Sequence, residues 1–189
     1  MLKQIVTETT DAVVAAVKGV DDIMSAVTGT VKNQVVNVFK GAGEIGTTGI
    51  DTVSSVVSGA VKGASQVGTT ASESVAAVVS SAIQGVSQVG GDVIGASREA
   101  VHGAVTATAD TGGDLGNAAV SAVRGAVKTA GEVGADTGEA TKAAVGGALD
   151  AATSIGGDAV DTVRSALLAS AALPRDLIES AIKGHQDKK

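Results

Sequence analysis

The chain has 189 residues, a net charge of −6 at pH 7, no cysteine, tryptophan or tyrosine, and Phe39 as its one aromatic residue. An acidic chain without clustered Lys and Arg is not expected to bind nucleic acid, because that binding depends on cationic contacts to phosphates. The composition also excludes disulfides, thiol chemistry and a core built on large aromatic side chains.

The N-terminal segment, residues 1–15, lacks the charged stretch, the apolar stretch and the small-residue cleavage site of a secretory signal. From Ile5 onward it continues the repeat described next, so we expect a half-repeat or cap here. No apolar run in the chain reaches the roughly 18 residues of a conventional membrane-spanning helix. A cytoplasmic location is therefore expected.

Residues 16–169 form seven uninterrupted 22-residue blocks, such as AVKGASQVGTTASESVAAVVSS from Ala60. Each block divides into two equal halves whose apolar positions recur at spacings of three and four. This is the helical period, and a sustained 11-residue repeat keeps the apolar stripe of a helix nearly straight. The sequence therefore predicts an all-α fold of elongated helical repeats.

One column of the repeat alternates between valine and glycine, and its glycines precede Thr or Asp, as in Gly90-Gly91-Asp92. Glycine followed by Asp is typical of a helix that stops and restarts. Two arrangements stay open: a single rod kinked at the glycines, about 230 Å long at 1.5 Å per residue, or separate helices of about 18 residues. A β-solenoid is the alternative fold, although the high alanine content and the 11-residue half-period disfavour it.

Pairs of small residues four positions apart, such as Gly59 and Gly63, recur along the apolar stripe. This spacing lets helices approach until their backbones touch. We therefore expect several copies to pack their stripes into a homo-oligomeric tube or bundle. The predicted self-association stripe consists of Val53, Val57, Ala64, Val67, Gly68, Val75, Val78, Val79, Val86, Val89, Gly90, Val101, Gly112, Val123, Gly134, Val145 and Gly156.

Residues 170–189 depart from the repeat, since they contain the single proline, Pro174. Proline suits the start of a helix and glycine its end, so the segment up to Gly184 predicts a short amphipathic helix followed by a polar tail. Its larger apolar residues are candidates for docking to a partner: Leu173, Leu177, Ile178 and Ile182. The alternative is an end cap of the repeat array.

No catalytic, metal-binding or cofactor-binding constellation is evident. His102 and His185 lie 83 positions apart, and no histidine pair has the spacing of metal ligands. Residues 41–46 read GAGEIG and match the dinucleotide fingerprint G-x-G-x-x-G, but the repeat produces this match, and the motif requires a preceding strand. We therefore expect a protein that is not an enzyme.

The segment AVKGASQVGTT resembles the lipid-binding repeats of synucleins, and the 11- and 22-residue periods are similar to those of late-embryogenesis-abundant proteins and exchangeable apolipoproteins. These families carry more charge, a denser lysine pattern, or proline and bulky residues. The resemblance implies an amphipathic coat or stress-protective protein that folds on a lipid or polymer surface.

In its size and small-residue helical character the whole chain also resembles the stalk-forming scaffold subunit of large oligomeric mycobacterial uptake hydrogenases of the Huc type. That resemblance implies a non-catalytic stalk that links a larger redox complex to a membrane and encloses a quinone or lipid in an apolar lumen. The leading expectation is therefore a self-associating, membrane-associated cytoplasmic scaffold, and the surface coat is the alternative.

Overall fold

The computed structural model describes residues 2–17, 23–41, 47–66 and 72–186. In this part of the chain there are nine α-helices and no strand, which confirms the all-α prediction and makes the β-solenoid alternative wrong there. The helices are α1 Leu2–Val17, α2 Ile23–Gly41, α3 Thr47–Gln66, α4 Ser72–Gln88, α5 Val93–Asp110, α6 Leu115–Glu132, α7 Thr137–Ile155, α8 Ala159–Ala169 and α9 Arg175–Gln186.

The helices are arranged as an α-solenoid of two layers. Each helix contacts the next helix in the chain and the next but one, and no pair of described helices further apart than that is in contact. The odd-numbered helices therefore form one layer and the even-numbered helices the other. Such nearest-neighbour packing is the hallmark of repeat proteins, in which each unit covers the apolar face of its neighbours.

The sequence repeat corresponds to one helix with its turn. Helices α5 to α8 begin at Val93, Leu115, Thr137 and Ala159, each one full repeat after the one before. Of the two arrangements that the sequence leaves open, the continuous rod is wrong for these repeats and separate helices are confirmed.

Left-handed glycines follow α4, α5 and α6. The φ angles of Gly90, Gly112 and Gly134 are +73°, +71° and +79°, values that glycine adopts without the clash of a Cβ atom. In the turn from α4 to α5, the Gly91 amide donates to the Val86 carbonyl over 2.9 Å. This bond closes a Schellman motif, which satisfies carbonyl groups that the end of the helix leaves free.

Aspartate residues start the next helices. The Asp92 carboxylate accepts hydrogen bonds from the amides of Ile94 and Gly95, both over 3.0 Å. Asp114 and Asp136 each accept the backbone N–H three residues later, over 2.9 and 2.8 Å. These bonds satisfy amides of the first helical turn. The predicted stop and restart at Gly-x-Asp is therefore confirmed.

Helices within a layer are parallel and packed with a constant offset. Gly103 on α5 lies against Ser54 on α3, and Gly147 on α7 lies against Arg98 on α5; both pairs are 49 positions apart in sequence. Two repeats account for 44 of these positions, so each helix is shifted by about five residues relative to the one beneath it, or about 7.5 Å at 1.5 Å per residue.

Glycine makes this close approach possible. A Cβ atom built on Gly103 would lie 2.2 Å from the Ser54 carbonyl oxygen, and one on Gly147 would lie 2.1 Å from the Arg98 carbonyl oxygen. Gly125 on α6 stands in the same relation to Ala76 on α4, at 2.7 Å. Backbone thus packs on backbone, as the small-residue spacing predicts, but between helices of one chain.

The core between the layers consists mainly of alanine and valine, and its largest fully buried side chains include Ile83, Leu149, Leu167 and Ile178. The described ends of the solenoid are more polar. Glu8 on α1 is exposed, whereas the residue two repeats later on α3, Thr52, is buried. Polar outer faces at the terminal helices are expected of caps in repeat proteins.

Candidate functional site

The strongest cluster of ionisable groups lies on the outer face of the odd-numbered layer, and we call it the polar seam. It crosses three parallel helices and consists of Asp51 and Ser54 on α3, Arg98, Glu99 and His102 on α5, and Asp150 on α7. The offset between neighbouring helices places residues 48–52 positions apart beside each other, which brings these groups together.

A histidine and a serine meet between α3 and α5. His102 Nδ1 lies 3.1 Å from Ser54 Oγ, next to the point at which Gly103 approaches the α3 backbone. Burial lowers the pKa of His102, and the positive charge of Arg98 lowers it further, while Asp150 acts in the opposite direction. The imidazole is therefore neutral near pH 7.

Two ion pairs bridge neighbouring helices of this layer. Lys62 Nζ on α3 lies 2.7 Å from Asp110 Oδ2 on α5, with side chains that are 29% and 52% exposed. The Arg98 guanidinium on α5 pairs with the Asp150 carboxylate on α7. Because exposed pairs are screened by water, each contributes at most about 1 kcal/mol to stability.

Glu99 is the acidic group of the seam with a perturbed titration. Burial raises its pKa, the nearby carboxylate of Asp51 raises it further, and Arg98 partly offsets these effects. Groups with perturbed pKa values cluster at functional sites, but ion-pair networks that serve only structure perturb pKa values as well.

The contact between Ser54 and His102 does not by itself make a catalytic site. A nucleophilic serine requires a histidine whose second ring nitrogen is oriented by a third group. In the seam, His102 Nδ1 faces Ser54 Oγ, and Arg98 pairs with Asp150 across the next pair of helices. The described residues also contain no group of three or more His, Cys, Asp or Glu side chains that could hold a metal ion. Because the contacts of the seam join α3 to α5 and α5 to α7, the seam fits a structural contact between helices.

The predicted self-association stripe lies inside the fold. Its valines on α3 to α7 are buried, apart from Val89, which is partly buried at the end of α4, and Ala64 is 2% exposed. These side chains pack against other helices of the same chain. The stripe is therefore not a free surface, while association between copies stays a prediction.

The glycines assigned to that stripe are elsewhere. Gly90, Gly112, Gly134 and Gly156 lie in turns with positive φ, and each is exposed. They do not share a helical face with the valines, because the alternating column passes from a helix into a turn, and their part in association between copies stays a prediction. Val67 and Gly68 lie outside the described residues.

The C-terminal candidates are mostly buried against the preceding helices. Leu173, Ile178 and Ile182 are 7%, 0% and 6% exposed, since α9 packs on α7 and α8; Leu177 is half-buried. Only Leu177 keeps part of its side chain available, so the burial favours the alternative of a cap over the docking prediction.

Gly41, the first residue of the GAGEIG segment, is the last residue of α2, and residues 42–46 lie outside the described part. A helix therefore stands where the dinucleotide fingerprint requires a strand. Of the helices that the structure describes, none combines the length and the apolar character needed to cross a membrane.

The polar seam was not anticipated from the sequence. Its members lie two repeats plus about five residues apart, and this offset depends on how deeply the glycines let neighbouring helices settle. The detectable signal is the pairing of opposite charges at that separation, as in Lys62 with Asp110 and Arg98 with Asp150.

Comparison with known proteins adds no relative: no protein-family model matches the chain, and no curated protein matches it in sequence.

Proposed function

We propose that this chain is a non-catalytic structural scaffold, a short α-solenoid that offers its outer surfaces to partners and performs no reaction itself. One observation carries the proposal: the polar groups best placed for chemistry are engaged in holding neighbouring helices together. Ser54 with His102 joins α3 to α5, and Arg98 with Asp150 joins α5 to α7. Repeat solenoids provide extended binding surfaces of this kind.

Self-association, attachment to a larger redox complex at a membrane and enclosure of a quinone or lipid belong to this proposal through the resemblance to hydrogenase scaffold subunits. The fold adds one condition to them. Because the valines of the stripe are already buried within each chain, copies that associate must do so through the outer faces of the layers or through the ends of the solenoid.

The alternative of a surface coat that folds on lipid has less support. Such a protein needs the lipid surface to cover its apolar stripe. Here the two layers cover each other, with Val57, Val79, Val101, Val123 and Val145 all fully buried, so folding has its favourable burial without a surface.

Circular dichroism of the purified chain without lipid, followed by native mass spectrometry of the protein isolated from its own cells, tests the proposal. We expect a strongly helical spectrum and a stable complex that contains more than one copy of the chain. Helicity that appears only on adding phospholipid vesicles would overturn the scaffold in favour of the coat. A helical chain that stays alone in the native spectrum would contradict self-association.

A further inference from the structure

A cavity of about 440 Å³ lies between the C-terminal end of α3, the N-terminal end of α4 and the turn from α5 to α6. Its volume falls within the range of about 300–1,000 Å³ that is common for small-ligand sites. The floor is apolar and includes Val61, Val75 and Val78, which are at most 8% exposed. The mouth is polar and exposed, and includes Thr111 and Asn117.

A difference between repeats explains why the cavity is open at this turn. Phe39 and Val61 occupy the same position in consecutive repeats, as do Gly91 and Gly113. A Cβ atom on Gly91 would lie 3.2 Å from a ring carbon of Phe39, so the phenyl ring fills the space beside that turn. At Gly113 the nearest atoms all belong to Thr108. The smaller Val61 leaves open the space that Phe39 fills.

Several polar groups at the mouth can accept a hydrogen bond. The hydroxyls of Thr108 and Thr111 donate to backbone carbonyls of their own helix, over 2.9 and 3.0 Å, and can still accept a bond. The Asp114 carboxylate accepts from the backbone and side-chain amides of Asn117, over 2.9 and 2.8 Å, and retains accepting capacity. A ligand with a hydroxyl donor fits this mouth, whereas the charge of Asp114 repels an anion.

We propose that this cavity is a binding site for a small, uncharged amphipathic alcohol. Its apolar body packs on Val61, Val75 and Val78, and its hydroxyl group donates to Thr111 or Asp114 at the mouth. Burial of the apolar body supplies most of the affinity, and the acceptors at the mouth set the orientation of the ligand and select against carboxylates.

An NMR titration of the full chain with 1-hexanol, and in parallel with hexanoate, tests this proposal. We expect saturable shifts of the Thr111, Gly112, Gly113 and Asn117 amides with 1-hexanol, and at least tenfold weaker binding of hexanoate. The substitution Val61→Phe, which copies Phe39, should weaken 1-hexanol binding at least tenfold. Val127→Phe, at the same repeat position on α6 and away from the cavity, is the matched control and should retain the affinity.

Shifts that do not saturate, equal binding of both probes, or unchanged affinity in Val61→Phe would each overturn the proposal. If Val61→Phe does not fold, Ala118→Leu fills the cavity from α6 and must weaken binding in the same way. The proposed scaffold function does not depend on this site, since it rests on the solenoid and on association between copies.

Discussion

Two adjacent glycines on α7 illustrate how closely the helices approach. Gly147 faces the α5 backbone, where a Cβ atom would lie 2.1 Å from the Arg98 carbonyl oxygen; at Gly146 the nearest atom, Arg98 Nη1, would lie 3.7 Å away. The first distance is a clash and the second is an ordinary contact. The same substitution at the two positions should therefore change stability in opposite directions.

We predict that Gly147→Ala lowers the free energy of unfolding by about 1–3 kcal/mol, because α5 and α7 must separate to admit the methyl group. Gly146→Ala should raise it by about 0.5–1 kcal/mol through the higher helix propensity of alanine. Urea unfolding followed by circular dichroism measures both. Equal effects at the two positions would contradict the observed register of the helices.

His102 makes the stability of the fold depend on pH. Burial lowers its pKa in the folded chain below the ordinary value of 6.5, so the unfolded chain binds the proton more readily. The contribution of the neutral histidine is fully present above pH 6.5, declines as the pH falls below that value, and is lost once the pH drops below the folded-state pKa.

We therefore predict that lowering the pH from 7.5 to 5.5 lowers the urea midpoint of the wild-type chain relative to that of His102→Gln. Glu99 acts in the opposite sense, because its raised pKa means that protonation favours the folded chain. Glu99 is present in both proteins, so its effect cancels in the comparison. A difference that does not change with pH would show that His102 is not buried between α3 and α5.

At the scale of the element, the aspartate caps differ in a way that provides a control. Asp136 accepts the Glu139 amide at the start of α7, whereas the side chain of Asp158 makes no capping hydrogen bond to α8. We predict that Asp136→Ala costs about 0.5–2 kcal/mol of stability. Asp158→Ala should change stability by less than about 0.5 kcal/mol. Chemical denaturation of both variants decides whether the side-chain bond is responsible.

The helix ends were the most predictable part of the fold, and their glycines were also the source of an error. The step from Gly134 to Asp136 indicates a stop and restart from local chemistry alone. The 11-residue pattern, however, favours one continuous apolar stripe, since Val123 and Gly134 occupy the same column. The positive φ angles of Gly90, Gly112 and Gly134 show that this column leaves the helix at these glycines.

At the scale of the whole molecule, the solenoid should tolerate the loss of one pair of repeats. Deletion of residues 93–136 removes two whole repeats, joins Asp92 to the start of α7 and places Gly147 opposite Ser54, where Gly103 lies now. We predict that this shorter chain folds cooperatively, with a smaller hydrodynamic radius and the same helical signal per residue.

Deletion of residues 93–125 is the matched control. It removes one and a half repeats and preserves the 11-residue pattern, but it joins Asp92 to the last part of α6 and leaves a helix too short to span its layer. We expect this variant to lose its cooperative thermal transition, as followed by circular dichroism. Survival of both deletions would mean that the 11-residue pattern, rather than the helix with its turn, is the folding unit.

The sequence predicts the fold class and the length of the repeat. It does not predict which surface covers the apolar face of each helix. The spacing of Gly59 and Gly63 correctly predicts backbone contact, yet a stripe of valines can be covered either by another copy or by another part of the same chain. Here the tight turns bring consecutive helices of one chain together, and these helices cover the valines of one another. The polar seam escaped prediction because its members, such as Ser54 and His102, are brought together only by the offset between helices.

The five-residue slip between stacked helices has a cumulative geometric effect. From α1 through α3 and α5 to α7 there are three such steps, so the stack leans by about 22 Å at 1.5 Å per residue. Each pair of stacked helices contributes the same displacement, because a glycine contact of this kind recurs at every second helix of the chain. A chain with more repeats would be sheared further, with each turn displaced along the helix axis relative to the turn beneath it.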